Sequence, residues 1–220
     1  MAIDNSPRIR QRNKLDRKIA TRANHKRVLI VTEGHTERNY FEEIKRTYKL
    51  SAVVIKRSSG TSPLNVVEYA NNLFSKGDGG LYRKGDFDEV YAVFDRDIHA
   101  SYFDALSLAK QLGNKLKMSK KHPVVFEAIP SNPCFELWLL IHFQDVSTLM
   151  HRHDVFTRVQ AKLPGYEKGD EGIYSRTSDK LDDAIRRAHA MNDSSSPYSQ
   201  GKPYTGIVVL VENLQSLKNT

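Results

Sequence analysis

The chain has 220 residues, a formal net charge of +8 at pH 7, 39% hydrophobic residues and a single cysteine, Cys134. That length suits one compact domain with appendages and allows a real hydrophobic core. No run approaches the ~20 consecutive apolar residues of a membrane span, one thiol excludes an internal disulfide or a cysteine-rich zinc site, and the basic N-terminus lacks the apolar stretch of a secretory signal, so a cytoplasmic location is expected.

The charge is unevenly placed. Residues 1–27 carry Arg8, Arg10, Arg12, Lys14, Arg17, Lys18, Arg22, Lys26 and Arg27 against Asp4 and Asp16, so the segment holds +7 of the +8. Residues 1–26 read as a basic N-terminal arm, followed by a domain over 27–220 that is nearly neutral. Such an arm can neutralise phosphates and steer a polyanion toward the body of the protein. A solvated tail is the equal alternative, because the arm has no aromatic residue on which a base could stack.

Short apolar runs then alternate with amphipathic stretches. Arg27 to Thr32 (RVLIVT) reads as a buried strand, and the spacing of Tyr40, Phe41, Ile44 and Tyr48 predicts a helix over 36–49. Ala52 to Arg57 is a second strand. The polar SSGTS loop leads to Pro63, placed to open a helix capped by Ser62. Residues 76–88 are Gly-rich and charged, which predicts an exposed loop. Glu89 to Phe94 is a third strand, with a helix over 100–112 after it. Pro123 to Ile129 is a fourth strand, and the apolar PCFELWLLIHF segment predicts a buried helix over 133–143, capped by Asn132. The remainder, 144–220, reads as a helical extension interrupted by a Ser/Pro/Gly-rich stretch at 193–206. The alternation predicts an α/β fold, a mostly parallel sheet flanked by helices around a core at 27–143, with right-handed crossovers.

Ligands of open parallel sheets bind at the carboxyl ends of the strands. Three predicted strand exits carry acids there: Glu33 after the first strand, Asp95 and Asp97 after the third, and Glu136 in the first turn of the helix after the fourth. Residues i and i+2 share a face of extended chain, so Asp95 and Asp97 are expected to point the same way. Gathered carboxylates repel unless a cation neutralises them, and hard oxygen ligands favour Mg²⁺ or Mn²⁺. Each acid also has a plain reading. Glu33 and Glu136 suit a helix dipole, and the aspartates suit a turn. Three coincidences on one edge favour a site.

The pairing of Glu-Gly after a first strand (VLIVTEG) with D-x-D after a later one (YAVFDRD) resembles Toprim domains. The segments TEGHTERNYF, SNPCFELWLLIHF and KPYTGIVVLVENL are similar to the RloB-like branch, and together with the D-x-D they span most of residues 27–217. The resemblance implies a Toprim-like, Rossmann-like fold and a metal-dependent nuclease. It assigns Mg²⁺ or Mn²⁺ to Asp95 and Asp97, with Glu33 as metal ligand or acid/base and Glu136 in support. It also implies a nucleic-acid substrate (DNA or RNA, tRNA among the candidates) and action in anti-phage defence with a separate, RloA-like ATPase. The sequence departs from the pattern at position 99, where His replaces the acid of the D-x-D-x-[DE] extension, which leaves the number of metals open. Gly34 is expected at a tight strand-to-helix turn.

Lys56 and Arg57, at the end of the second strand, are candidates for holding a phosphate, with plain solvation equally open. SSGTS–Pro63 is read as a loop and cap rather than an anion site. His142, His151 and His153 are read as structural or surface residues, His99 as a minor support, and Cys134 as unreactive. The Gly-rich loop PGYEKGDEGIY, with Tyr166, Lys168 and Tyr174, is open to substrate contact but is read as a solvent loop. Two other functions remain open: a non-catalytic nucleic-acid-binding or assembly module beside an ATPase, and a phosphoacceptor receiver domain, to which Glu136 is poorly suited. A homodimer is also left open.

Overall fold

The computed structural model describes residues 26–118 and 123–219. The arm candidates Arg8, Arg10, Arg12, Lys14, Arg17 and Lys18 lie outside the described residues. In chain order the elements are β1 (Val28–Thr32), α1 (His35–Tyr48), β2 (Val53–Arg57), α2 (Pro63–Lys76), β3 (Glu89–Asp95), α3 (Tyr102–Met118) and β4 (Val125–Asn132). They continue with α4 (Glu136–Leu140), α5 (Arg152–Lys162), α6 (Ile173–Thr177), α7 (Leu181–Asn192), β5 (Tyr204–Thr205) and α8 (Ile207–Ser216). The sheet order is β2-β1-β3-β4-β5. The first four strands are mutually parallel, and β5 joins β4 antiparallel through Ser131–Thr205 and Asn132–Tyr204.

Strand alternation sorts the core into two layers. Val28, Ile30, Val53, Ile55, Tyr91 and Val93 face α1, α4 and the C-terminal helices. Leu29, Val31, Val54, Val90, Ala92 and Phe94 face α2 and α3. All five residues of β1 are buried, as a strand covered on both faces requires. Each such Val, Leu, Ile or Phe contributes roughly 1.5–3 kcal/mol of transfer free energy. The C-terminal helices complete the first layer, since Val155, Val159, Ala184, Ala188, Ile207 and Leu210 share it with the sheet.

Several predicted starts hold. Pro63 opens α2, and the Ser62 hydroxyl accepts the Asn65 N–H at 3.3 Å. The 133–143 helix does not. The extended chain of β4 runs on to Asn132, the Asn132–Pro133 peptide is cis, and the helix is only the five residues of α4. Asn132 caps nothing; its amide donates to the Lys202 carbonyl at 2.7 Å, tying β4 to the segment before β5. The apolar run is nonetheless buried through His142, with the Trp138 indole N–H donating to the Tyr40 hydroxyl at 2.8 Å.

Candidate acidic active site

The strand order changes direction at β1: β2 lies on one side of it and β3 on the other. The carboxyl ends of β1 and β3 therefore border the crevice where such sheets bind ligands. Glu33 stands one residue past β1 and Asp95 is the last residue of β3. They are joined directly, because Glu33 Oε2 accepts the Asp95 N–H at 3.2 Å. The next turn is fastened to β4 and the residue after it: Arg96 N–H donates to the Ser131 carbonyl (2.8 Å) and Asp97 N–H to the Pro133 carbonyl (3.1 Å). Asp97 has φ 40°, in the left-handed region, so the two aspartates do not follow strand alternation as the sequence suggested. Both still line one cavity.

That cavity, of about 350 Å³, is lined by Glu33, Glu37, Asp95, Asp97 and Glu136, with His99, Arg152 and Lys168 among them. The Asp97 carboxylate pairs through Oδ2 with Arg152 at the start of α5. Its Oδ1 is buried and has no hydrogen-bond partner among the described residues. Glu136, 2% exposed, lies 3.1 Å from the Lys168 ammonium and accepts from the Tyr166 hydroxyl at 3.4 Å. His99 Nε2 is 3.7 Å from Glu33 Oε1.

Crowding sets the protonation chemistry. Burial and then the repulsion of Glu37, Glu136, Glu33 and Asp97 push the Asp95 carboxyl well above its ordinary range. Burial, with Glu136 and Glu33 adding to it, pushes Glu37 up to about 7. Glu33 is also raised by burial, against the opposing Asp95 N–H and His99. Burial opposes the Lys168 charge, but Glu136 outweighs it and the pKa rises. The donor set is hard oxygen throughout, suited to Mg²⁺ or Mn²⁺. As they stand, no three His, Cys, Asp or Glu side chains among the described residues form a group that could hold a metal ion. Arg152 and Lys168 neutralise two of the acids instead.

All four predicted acids are thus brought together. Glu37 and Arg152 were missed, and Lys168 was passed over in favour of a solvent loop. Glu37 stands on the stripe of Tyr40, Phe41 and Ile44 that α1 buries, and an acid on an apolar stripe was a legible signal. Gly34 answers to it: a Cβ there would lie 2.5 Å from the Glu37 carboxylate, so the need is for space, since its φ of −107° is open to any residue. Arg152 and Lys168 come from the C-terminal part and no spacing announced them. The loop carrying Lys168 is docked rather than free. Gly169 N–H donates to the Thr36 hydroxyl (2.9 Å), Asn39 donates to the Gly169 carbonyl (2.7 Å), and Tyr166 and Tyr174 are buried.

Lys56 and Arg57 end β2 but do not line the cavity, and the Lys56 ammonium lies over the Tyr82 ring at 5.4 Å. Cys134 is buried, and that burial pushes its thiol up, as an unreactive cysteine requires. His142 is buried against Trp138, and His151 Nδ1 accepts the His153 N–H at the start of α5.

The model of the RloB-like protein family matches residues 28–214, from the first residue of β1 into α8. The chain belongs to the RloB-like family. No curated protein and no solved structure matches it. The matched span takes in every residue of the acidic cavity. Among the described residues, no helix of this RloB-like chain is long and apolar enough to cross a membrane.

Proposed function

We propose that this RloB-like chain is a Toprim-type, Mg²⁺- or Mn²⁺-dependent nuclease that cleaves phosphodiester bonds in DNA or RNA, acting in bacterial anti-phage defence beside an ATPase. One observation carries the reading: five carboxylates converge at the point where the strand order reverses, and one oxygen of Asp97 is buried with no partner among the described residues. Five acids held together at a ligand-binding edge with only two cations paired to them are costly unless they serve a further cation. The residues fit the ion in donor chemistry and charge.

Asp95, Asp97 and Glu33 would hold the metal, with Glu136 and Glu37 around them. A bound divalent ion supplies Lewis acidity at a phosphoryl oxygen and a more acidic bound water. Arg152 and Lys168, now paired with Asp97 and Glu136, would be released if those carboxylates turned to the ion. Both cations are about half exposed and long enough to turn toward a phosphate. Glu33, which accepts the Asp95 N–H and lies near His99, would exchange a proton with an attacking or leaving oxygen.

A non-catalytic module is the second reading. It is favoured by the two ion pairs that already neutralise Asp97 and Glu136. Thermal unfolding in Mg²⁺ or Mn²⁺ separates the two. A nuclease gives a metal-dependent rise in Tm that Asp95→Asn removes, followed by metal-dependent cleavage of DNA, RNA or tRNA. No shift in the wild type, together with no cleavage, leaves only the module.

A further inference from the structure

A second hollow, of about 450 Å³, opens beside the acidic cavity and shares Asp97 and Arg152 with it. Its wall includes Ile98, Leu149 and Met150, and Arg96 and Arg152 supply positive charge. Ile98 is 100% exposed and Leu149 38%. Asp97 turns the chain through its left-handed backbone, and the next side chain is left wholly in solvent. A fully exposed isoleucine adds nothing to the core, so packing gives no reason for it.

We propose that this hollow receives an unstacked nucleobase next to the phosphate at the acidic cavity, with Ile98 as the wedge that parts it from its neighbour. The preferred substrate is then a nucleic acid unpaired at the cut. The proposal rests on the nuclease reading and names its substrate class. Continuity carries it: a strand whose phosphate lies by Arg152 has its adjacent base at the hollow, because Arg152 belongs to both. The chemistry agrees. Apolar side chains take the faces of a base, arginines take the flanking phosphates, and the volume lies within the roughly 300–1,000 Å³ of small-molecule sites. Isoleucine, leucine and methionine are also the residues that proteins insert between base steps. Arg96 is held in place for this, since its guanidinium donates to the Ser199 carbonyl at 2.6 Å and lies over the Phe103 ring at 5.3 Å.

The test uses the full chain as Asp95→Asn, which prevents cutting, and three oligonucleotides of one sequence: a single strand, a hairpin with the site in its loop, and a full duplex. Fluorescence anisotropy should give at least tenfold tighter binding of the single strand and the loop than of the duplex. A 2-aminopurine at the site should brighten on binding. Adding Ile98→Ser should cut the preference below threefold and abolish the brightening, with Tm unchanged because the side chain is exposed. Met150→Ser should act in the same direction. Equal binding of duplex and single strand, or full preference in Ile98→Ser, overturns the proposal; the latter is the result expected if the hollow instead docks a protein. Wild-type chain that cuts duplex as fast as single strand also overturns it while leaving the nuclease reading intact. Binding of no oligonucleotide removes it too, and the metal-dependent Tm shift then judges the nuclease reading separately.

Discussion

Strand β3 carries an acid at each end, and the fold treats the two in opposite ways. At its start, buried Glu89 receives the Lys26 ammonium (2.8 Å), the Tyr91 hydroxyl (3.1 Å) and the Asn213 amide (2.6 Å). At its end, the Asp95 carboxylate is crowded by four others, those of Glu37, Glu136, Glu33 and Asp97. One acid is a finished structural part. The other is only partly buried and is held in repulsion, and such a crowd of acids survives where a ligand supplies the charge that the protein withholds.

The largest effect should come from the unsatisfied end. Asp95→Asn should lower metal-dependent cleavage by at least about 100-fold, and in metal-free buffer it should stabilise the fold by about 0.5–2 kcal/mol, because a repelled charge is gone. Cleavage rates and urea unfolding check the two halves, and a metal-free destabilisation would break the contrast. Glu89→Ala should do the reverse. It takes the acceptor from the Tyr91 O–H, although the Asn213 amide still donates to that hydroxyl at 2.9 Å, so it should cost about 1–3 kcal/mol in urea unfolding and leave the metal-dependent rise in Tm in place.

The pH response should sharpen the difference. Glu37 is raised by burial to about 7 from 4.5, so the unfolded chain releases that proton first, and metal-free stability should fall as pH rises from 4.5 to 7. Buried His142 is lowered to about 4 from 6.5 by burial, so its sign is opposite: stability is lost as pH falls from 6.5 to 4. Tm against pH for Glu37→Gln and His142→Gln should each lose one limb of the wild-type curve. The smallest effect is expected for Arg152→Ala. Freeing Asp97 of its competing cation should tighten Mg²⁺ binding about threefold by calorimetry while cleavage slows, since an exposed ion pair is worth ~1 kcal/mol or less.

Strand exits made Glu33, Asp95, Asp97 and Glu136 legible, because β1, β3 and β4 are short Val/Ile-rich runs with acids directly after them. Ser62 and Pro63 announced α2 in the same local way. What failed was long-range. The run 133–143 is apolar enough for a long helix, but backbone pairing with Tyr204 and Thr205 keeps the chain extended through Asn132, and a two-residue strand leaves no periodicity to read. Lys168 was taken for a solvent residue because its loop is polar and Gly-rich. Only the docking of Gly169 on Thr36 and Asn39 brings it to Glu136.

Strand β5 has a further consequence, one of timing. Ser131 and Asn132 wait for Thr205 and Tyr204, and the turn holding Asp97 hangs on the carbonyls of Ser131 and Pro133. On the ribosome, that margin of the sheet stays open until residue 205 has emerged, after Arg152 and Lys168. A nascent chain therefore carries the acids long before it carries the site, and an interrupted translation product lacks the segment that closes it.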